Sequence, residues 1–355
     1  MKNNQFLLYG AYGYTGELIA QYAAAYNLEP ILAGRRKEAL IPLAEKLNLP
    51  YKVLDLNNTA ALKAALQEVK VVVHTAGPFD LTAKQMADAC LETGTHYLDI
   101  NGDMEVFEML YSYDKAAKDA GIMIMSGVGF DVVPTDCLAF FLKKLLPDAT
   151  SLKLAFATPG GGLSHGTATT TAAKLGEPGA ERKNGQIIPV PVGQKGMTVD
   201  FGQGQKLFVM SLPWGDVFTA YLTTGIPNIV SYTAVHRAVY YALQFQFLFN
   251  WLLRTSLVRG IVKKKIDKQP AGLDEVKRNK ATSLVWGQVT NAGGQTATAR
   301  LSGPDAYTLT AYTTLLITQK ILEGDFKTGY QTPAAVYGED LIMRIEGVQR
   351  EVVTK

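Results

Sequence analysis

The chain has 355 residues, more than the roughly 250–300 at which a single core stops growing, so two domains are expected. Hydrophobic residues make up 47% and charged residues 19%, a folded composition without low-complexity blocks. A net charge of +3 is too small to argue for nucleic acid, while anionic small molecules fit it. Two cysteines, Cys90 and Cys137, exclude a disulfide framework, and histidine and cysteine are too scattered for a metal site. With no cleavable leader ahead of the first apolar run, a cytoplasmic protein is expected.

In chain order, residues 5–9 read as a strand and 17–26 as a helix, followed by a strand at 30–34 and a helix at 38–47. The pattern repeats with strands at 51–56, 70–75, 96–100 and 122–125, and with helices at 59–66, 82–93 and 104–120. Short apolar strands alternating with amphipathic helices predict right-handed βαβ units around a buried parallel sheet.

The first βα turn reads Gly10-Ala-Tyr-Gly-Tyr-Thr-Gly16. Gly10 permits the tight turn, Gly13 lets the backbone approach a pyrophosphate, and Gly16 lets the helix pack on the strand. The helix N-terminus then offers N–H groups and positive dipole to the phosphates. Tyr12, Tyr14 and Thr15 share that loop and are grouped with the glycines as cofactor contacts. Three glycines alone are a weak signal; their place between strand and helix makes this one informative.

At the end of the second strand, where an NAD domain carries Asp or Glu, this chain has Gly34-Arg35-Arg36. One guanidinium suits a 2′-phosphate in a fork and the other suits stacking on adenine, so NADP(H) is expected. Two cations opening a helix would otherwise face an unfavourable dipole. Asp55, ending the third strand, is a candidate for the adenine amino group, and Ala76, Gly77 and Pro78 are expected under the nicotinamide half.

These motifs, with Ala33-Gly-Arg-Arg36, Ala76-Gly-Pro-Phe79, Gly94-Thr-His-Tyr-Leu-Asp99 and Gly129-Phe-Asp-Val-Val-Pro-Thr-Asp136, resemble the saccharopine dehydrogenase-like oxidoreductases. That family includes trans-acting enoyl reductases. Ser211-Leu-Pro-Trp-Gly-Asp216, Thr224-Gly-Ile-Pro227 and Gly329-Tyr-Gln-Thr-Pro333 extend the resemblance. Tyr12 in the glycine loop, Ala83 and Asp103 depart from the family pattern. The resemblance implies a nucleotide domain followed by a mixed α/β domain that closes over the nicotinamide; it does not give the substrate.

In the second half, residues 151–158 read as a strand, and Gly160-Gly-Gly162 leads to a Thr/Ala-rich helix that starts near Ser164-His165. Residues 187–232 look strand-like throughout, and Asn291-Ala-Gly-Gly294 signals a hairpin. Residues 304–322 read as a helix. Residues 238–253, AVYYALQFQFLFNWLL, are apolar almost all round and are followed by Arg254, Arg259 and Lys263-Lys264-Lys265. They are too short to span a bilayer. Two readings stand: a helix buried in a dimer interface or under the second domain, or a membrane-surface element with its basic tail on lipid phosphates.

A proton donor should come from loops at the carboxyl ends of strands. Asp131 and His165 are the candidate catalytic residues, the second because it opens a helix after a glycine run. Each also has a structural reading, as a loop-binding carboxylate and as a satisfied histidine. Tyr111 and Lys115 form the Tyr-x-x-x-Lys pair of short-chain dehydrogenases, a pairing about as frequent by chance in a chain with 17 tyrosines. Asp99 and Asp103 are expected to tie loops together, and His74 to be core.

The expected fold is α/β: an N-terminal Rossmann-type doubly wound parallel sheet over 1–130 plus a second mixed α/β domain over 131–304, with C-terminal helices about 305–355 returning to the first. The expected function is NADP(H)-dependent hydride transfer at a C=N, C=O or C=C bond of a small-molecule substrate, acyl or amino-acid derived, by a homodimer. The alternative is a non-catalytic NADP(H)-binding scaffold or redox sensor at a membrane surface through residues 238–265.

Overall fold

The structure, a computed structural model, describes residues 4–354. Its chain order begins β1 (Gln5–Tyr9), α1 (Tyr14–Tyr22), β2 (Glu29–Gly34), α2 (Lys37–Leu47), β3 (Tyr51–Val53), α3 (Thr59–Leu66), β4 (Val71–His74) and α4 (Phe79–Thr93). It continues with β5 (His96–Asp99), α5 (Met104–Tyr111), α6 (Asp114–Asp119) and β6 (Met123–Met125). Then come α7 (Val133–Leu145), β7 (Ala149–Ala157), α8 (His165–Ala173), β8 (Gly179–Lys183), β9 (Gln186–Val190), β10 (Gly196–Asp200) and β11 (Lys206–Ser211). After α9 (Asp216–Thr224) and β12 (Asn228–Ala234) lie α10 (Arg237–Leu243), α11 (Asn250–Leu253), α12 (Ser256–Ile266) and α13 (Glu275–Arg278). The chain ends with β13 (Thr282–Asn291), β14 (Thr296–Pro304), α14 (Ala306–Leu322), β15 (Gly329–Gln331), α15 (Pro333–Tyr337) and β16 (Gln349–Thr354).

Two compact units result: Met1–Val133 with Tyr307–Tyr337, and Pro134–Ala306 with Gly338–Lys355. The first holds a seven-stranded, all-parallel sheet in the order β15-β6-β5-β4-β1-β2-β3. Its central strands lack polar alternation because both faces are covered: Phe6, Leu7, Leu8, Val71, Val72 and Val73 are fully buried. The strand order reverses between β1 and β4, and ligands of open parallel sheets bind outside such a switch point.

The second unit holds a nine-stranded mixed sheet, in which β12 pairs parallel with β7 and the other pairs are antiparallel. The hairpin of β13 and β14 closes at Asn291, whose Oδ1 accepts from the Gln295 N–H at 2.9 Å. Ala155, Val209, Tyr232, Leu284 and Trp286 pack into one core cluster against it.

Four expectations need correction. Residues 187–232 are interrupted by α9, whose buried face of Val217, Phe218 and Ala220 is helical in spacing. Residues 104–120 form two helices, because Ser112 Oγ bonds back to the Met109 carbonyl at 2.6 Å and the Tyr113 hydroxyl reaches Asp88 at 2.6 Å. Of the 305–355 segment, β15 adds to the first sheet beside β6, but β16 pairs antiparallel with β14 in the second. Residues 238–253 are three short pieces, α10, a 3₁₀ turn at Gln246–Leu248 and α11, and they are largely exposed. The buried-helix reading fails within this chain because Gln244 and Gln246 turn inward to bond the Gly193 and Val192 carbonyls, at 2.9 and 2.8 Å.

Candidate functional site

At the end of β1 the backbone of Gly10 has φ +90°, a conformation open to glycine, and an added Cβ would lie 2.8 Å from the Ala76 nitrogen. The Gly10 and Ala11 N–H groups donate to the Ala33 carbonyl at 2.9 and 3.2 Å. Thr75 donates its N–H and hydroxyl to the Tyr9 carbonyl at 2.8 and 2.9 Å. Loops after β1, β2 and β4 therefore meet at the switch point. The Gly13 N–H donates to the Gly10 carbonyl at 2.9 Å, and a Cβ on Gly16 would lie 2.4 Å from that same oxygen. Gly13 opens α1 without any side-chain cap, so the first turn of Tyr14, Thr15 and Gly16 presents backbone and dipole. A cradle that side chains would fill, at an uncapped helix start, fits a pyrophosphate.

The arginine end is organised by a contact the sequence did not announce. The Tyr12 ring lies across Gly34, where an added Cβ would sit 2.4 Å from Cε1. The Arg36 guanidinium carbon stands 4.7 Å from the centre of that ring. Arg35 and Arg36 are exposed at the start of α2, and among the described residues neither is in an ion pair. The one available signal was an aromatic in the glycine loop opposite a glycine at the strand end. Asp55 is exposed two residues beyond β3, and its Oδ1 accepts from the Asn57 N–H and Nδ2, both at 2.9 Å. Burial, with Asp55 and Tyr12 nearby, pushes the Tyr9 hydroxyl up to about 12, so it stays a donor, to the Leu54 carbonyl at 3.3 Å.

Beyond β4, Ala76 is half-buried and Gly77 and Pro78 are exposed. Beside it, Asp99 is fully buried; its oxygens accept from Ser126, Tyr97, and the Asn101 and Gly127 N–H groups at 2.7–2.9 Å. Burial raises its carboxyl above the usual range against those hydrogen bonds. Asp99 thus ties the loops after β5 and β6, and Asp103 caps α5 through the Glu105 N–H at 3.1 Å. The Gly129-Phe130-Asp131 loop is held by α14: Thr310 Oγ1 accepts from the Phe130 N–H at 2.9 Å, and Thr313 donates to the Val128 carbonyl at 2.8 Å. Asp131 sits against Gly102, where an added Cβ would meet Oδ2 at 2.6 Å. Although Asp131 keeps partial exposure, the protein packed round it pushes its carboxyl up to about 7.

His165 lies in the other unit, as the first residue of α8. Its Nε2 is 2.9 Å from Asp267, which also pairs with Lys263 at 3.0 Å. His74 is core, pushed down to about 3 by burial. Tyr111 and Lys115 fall on different helices; Tyr111 packs edge-on to Tyr330 and Lys115 pairs with Asp119 at 2.6 Å, so no dehydrogenase-type pair forms. Among the described residues no three His, Cys, Asp or Glu side chains are arranged to hold a metal.

Residues 6–125 match the model of the saccharopine dehydrogenase NADP binding domain. The saccharopine dehydrogenase-like oxidoreductase of Mus musculus is 27% identical over 214 residues, 52% of this chain and 50% of the relative. A trans-acting enoyl reductase of Mycobacterium ulcerans is 32% identical over 140 residues, 37% of this chain and 34% of the relative. The matches thus span half or less of these curated relatives. Among solved structures, apo saccharopine dehydrogenase (L-Glu forming) of Saccharomyces cerevisiae superposes with a TM-score of 0.68 at 13% identity, covering 99% of this chain and 100% of that one. The resemblance read from the motifs is shown, and the α/β fold is shared over the whole length of that structure.

Proposed function

We propose that this saccharopine dehydrogenase-like chain is an NADP(H)-dependent oxidoreductase that moves a hydride to or from a C=N, C=O or C=C bond of a small molecule. The observation that carries the reading is Arg35 and Arg36 at the end of β2, exposed and without ion pairs among the described residues, beside the Gly10–Gly16 turn. A carboxylate there would hold a ribose 2′-hydroxyl and repel a 2′-phosphate; two guanidiniums favour the phosphate. Arg36, already over the Tyr12 ring, offers a face for adenine, which leaves Arg35 to the phosphate. Gly10, Gly13 and Gly16 with Thr15 and Tyr14 would cradle the pyrophosphate, and Ala76, Gly77 and Pro78 would border the nicotinamide half. A bound nicotinamide would supply or accept the hydride. The proton falls to Asp131, whose raised carboxyl can hold or release it near neutral pH, with His165 as the group to compare.

The test is calorimetric titration of NADPH and NADH into wild type and Arg35→Ala/Arg36→Ala. Loss of charge-assisted bonds worth about 1.5–3 kcal/mol should weaken NADPH roughly 10–100-fold, and NADH by the smaller amount that the adenine contact of Arg36 contributes. Equal affinities that ignore the substitutions would overturn the assignment. NADPH consumption against aldehydes, imino acids and enoyl thioesters then identifies the bond, with Asp131→Asn expected to lose turnover while keeping NADPH binding.

A further inference from the structure

Residues 237–266 carry a surface turned inside out. Their polar side chains face the protein: Gln246 is 9% exposed, with Nε2 on the Val192 and Leu243 carbonyls at 2.8 and 2.9 Å. Arg254 Nε donates to the Gly176 carbonyl at 2.8 Å, and Arg259 bonds the Leu175 carbonyl and Glu177 at 2.8 and 2.7 Å. Their large apolar side chains face outward: Phe247 is 72% exposed, Trp251 68% and Leu257 73%, joined by Tyr241, Phe245 and Ile261. Of the nineteen exposed large hydrophobic residues among the described ones, nine lie between Val239 and Ile261. A chain that exposes this much apolar surface while burying its amides is matched to an apolar partner.

Charge selects which partner. No Asp or Glu occurs from Val217 to Ile266, a stretch with six cations, although the whole chain carries only +3. On α12, Leu257 and Ile261 stand one turn apart on a face that continues into exposed Lys264 and Lys265. Arg254 and Arg259 are turned inward, so a second copy of this face would bring exposed Lys264 and Lys265 against the same cations, with Lys263 already held by Asp267. An anionic lipid surface neutralises the cations and takes the aromatic side chains at its headgroup level. Among the described residues no helix is long and apolar enough to cross a membrane.

We propose that residues 237–266 dock this protein on anionic bilayers, with Phe245, Phe247 and Trp251 at the acyl boundary and Lys263, Lys264 and Lys265 on the phosphates. The test is flotation of the full chain with vesicles of phosphatidylcholine alone or mixed with phosphatidylglycerol, beside sedimentation of lipid-free protein. The mixed vesicles should carry the protein upward. Lys263→Gln/Lys264→Gln/Lys265→Gln should lower that partitioning at least tenfold, since each cation near such a surface contributes roughly a fivefold factor. Phe247→Gln/Trp251→Gln should do the same with unchanged circular dichroism and melting, because both side chains are exposed. Three results each overturn the proposal: protein left in the bottom fraction with both vesicles, binding indifferent to the lysines, and a lipid-free dimer that Phe247→Gln/Trp251→Gln dissociates.

Discussion

Asp131 sets packing against charge within one side chain. Its carboxyl titrates near 7 in the folded chain and near the ordinary ~3.9 when unfolded. Between those values the folded state binds a proton that the unfolded state has released. Stability therefore falls as pH rises from about 4 to about 7, by up to about 4 kcal/mol. Asp131→Asn has no such proton, so its urea midpoint should fall less across that window and exceed wild type at pH 8. Parallel profiles for the two proteins would mean that the carboxyl titrates normally. The sequence located Asp131 after the sixth strand; it could not show Gly102 pressed against it, because that contact depends on how two loops fold back. The Tyr12–Gly34–Arg36 stack was hidden for the same reason, although each residue stood in the right loop.

Elements were legible where the side-chain pattern had one physical reading. Buried strands such as β1 and β4 are near-continuous apolar runs, and the helices between them repeat at helical spacing. Residues 238–253 had no such reading, since apolar residues all round do not say which face meets the protein; Gln244 and Gln246 decided it. In β4 the apolar run ends in His74, enclosed by Tyr9, Phe79 and Tyr97. Its Nε2 meets Thr82 Oγ1 at 3.0 Å, and its Nδ1 has no partner among the described residues. With the ring held neutral down to about 3, only the unfolded chain takes up its proton below the ordinary ~6.5. Stability is therefore lost as pH falls from about 6.5 toward 3, by about 1.4 kcal/mol per pH unit from this residue. His74→Leu should flatten the acid limb of a urea-midpoint profile by that slope; an unchanged acid limb would sink the claim.

On the scale of the molecule, the nucleotide unit is assembled from segments separated by 173 residues of chain, since Tyr307–Tyr337 clusters with the residues up to Val133. Helix α14 buries Leu309, Leu315, Leu316, Ile317 and Ile321, and its Thr310 and Thr313 hold the loop that carries Asp131. Strand β15 pairs with β6 through Gly329–Met123, Tyr330–Ile124 and Gln331–Met125. Each of those five apolar side chains contributes roughly 1.5–3 kcal/mol on burial. Their sum is about 10 kcal/mol, comparable to the entire stability of an ordinary domain. Residues 1–133 expressed alone should accordingly lack a cooperative melt and bind no NADPH, although they contain every glycine and arginine assigned to the cofactor. Joining residues 307–337 to them by a flexible linker should restore both. Addition of NADPH at 100 times its dissociation constant should then stabilise the joined unit by about 2.7 kcal/mol. If residues 1–133 melt cooperatively and bind NADPH unaided, the C-terminal segment is an ornament of the unit and not part of its core.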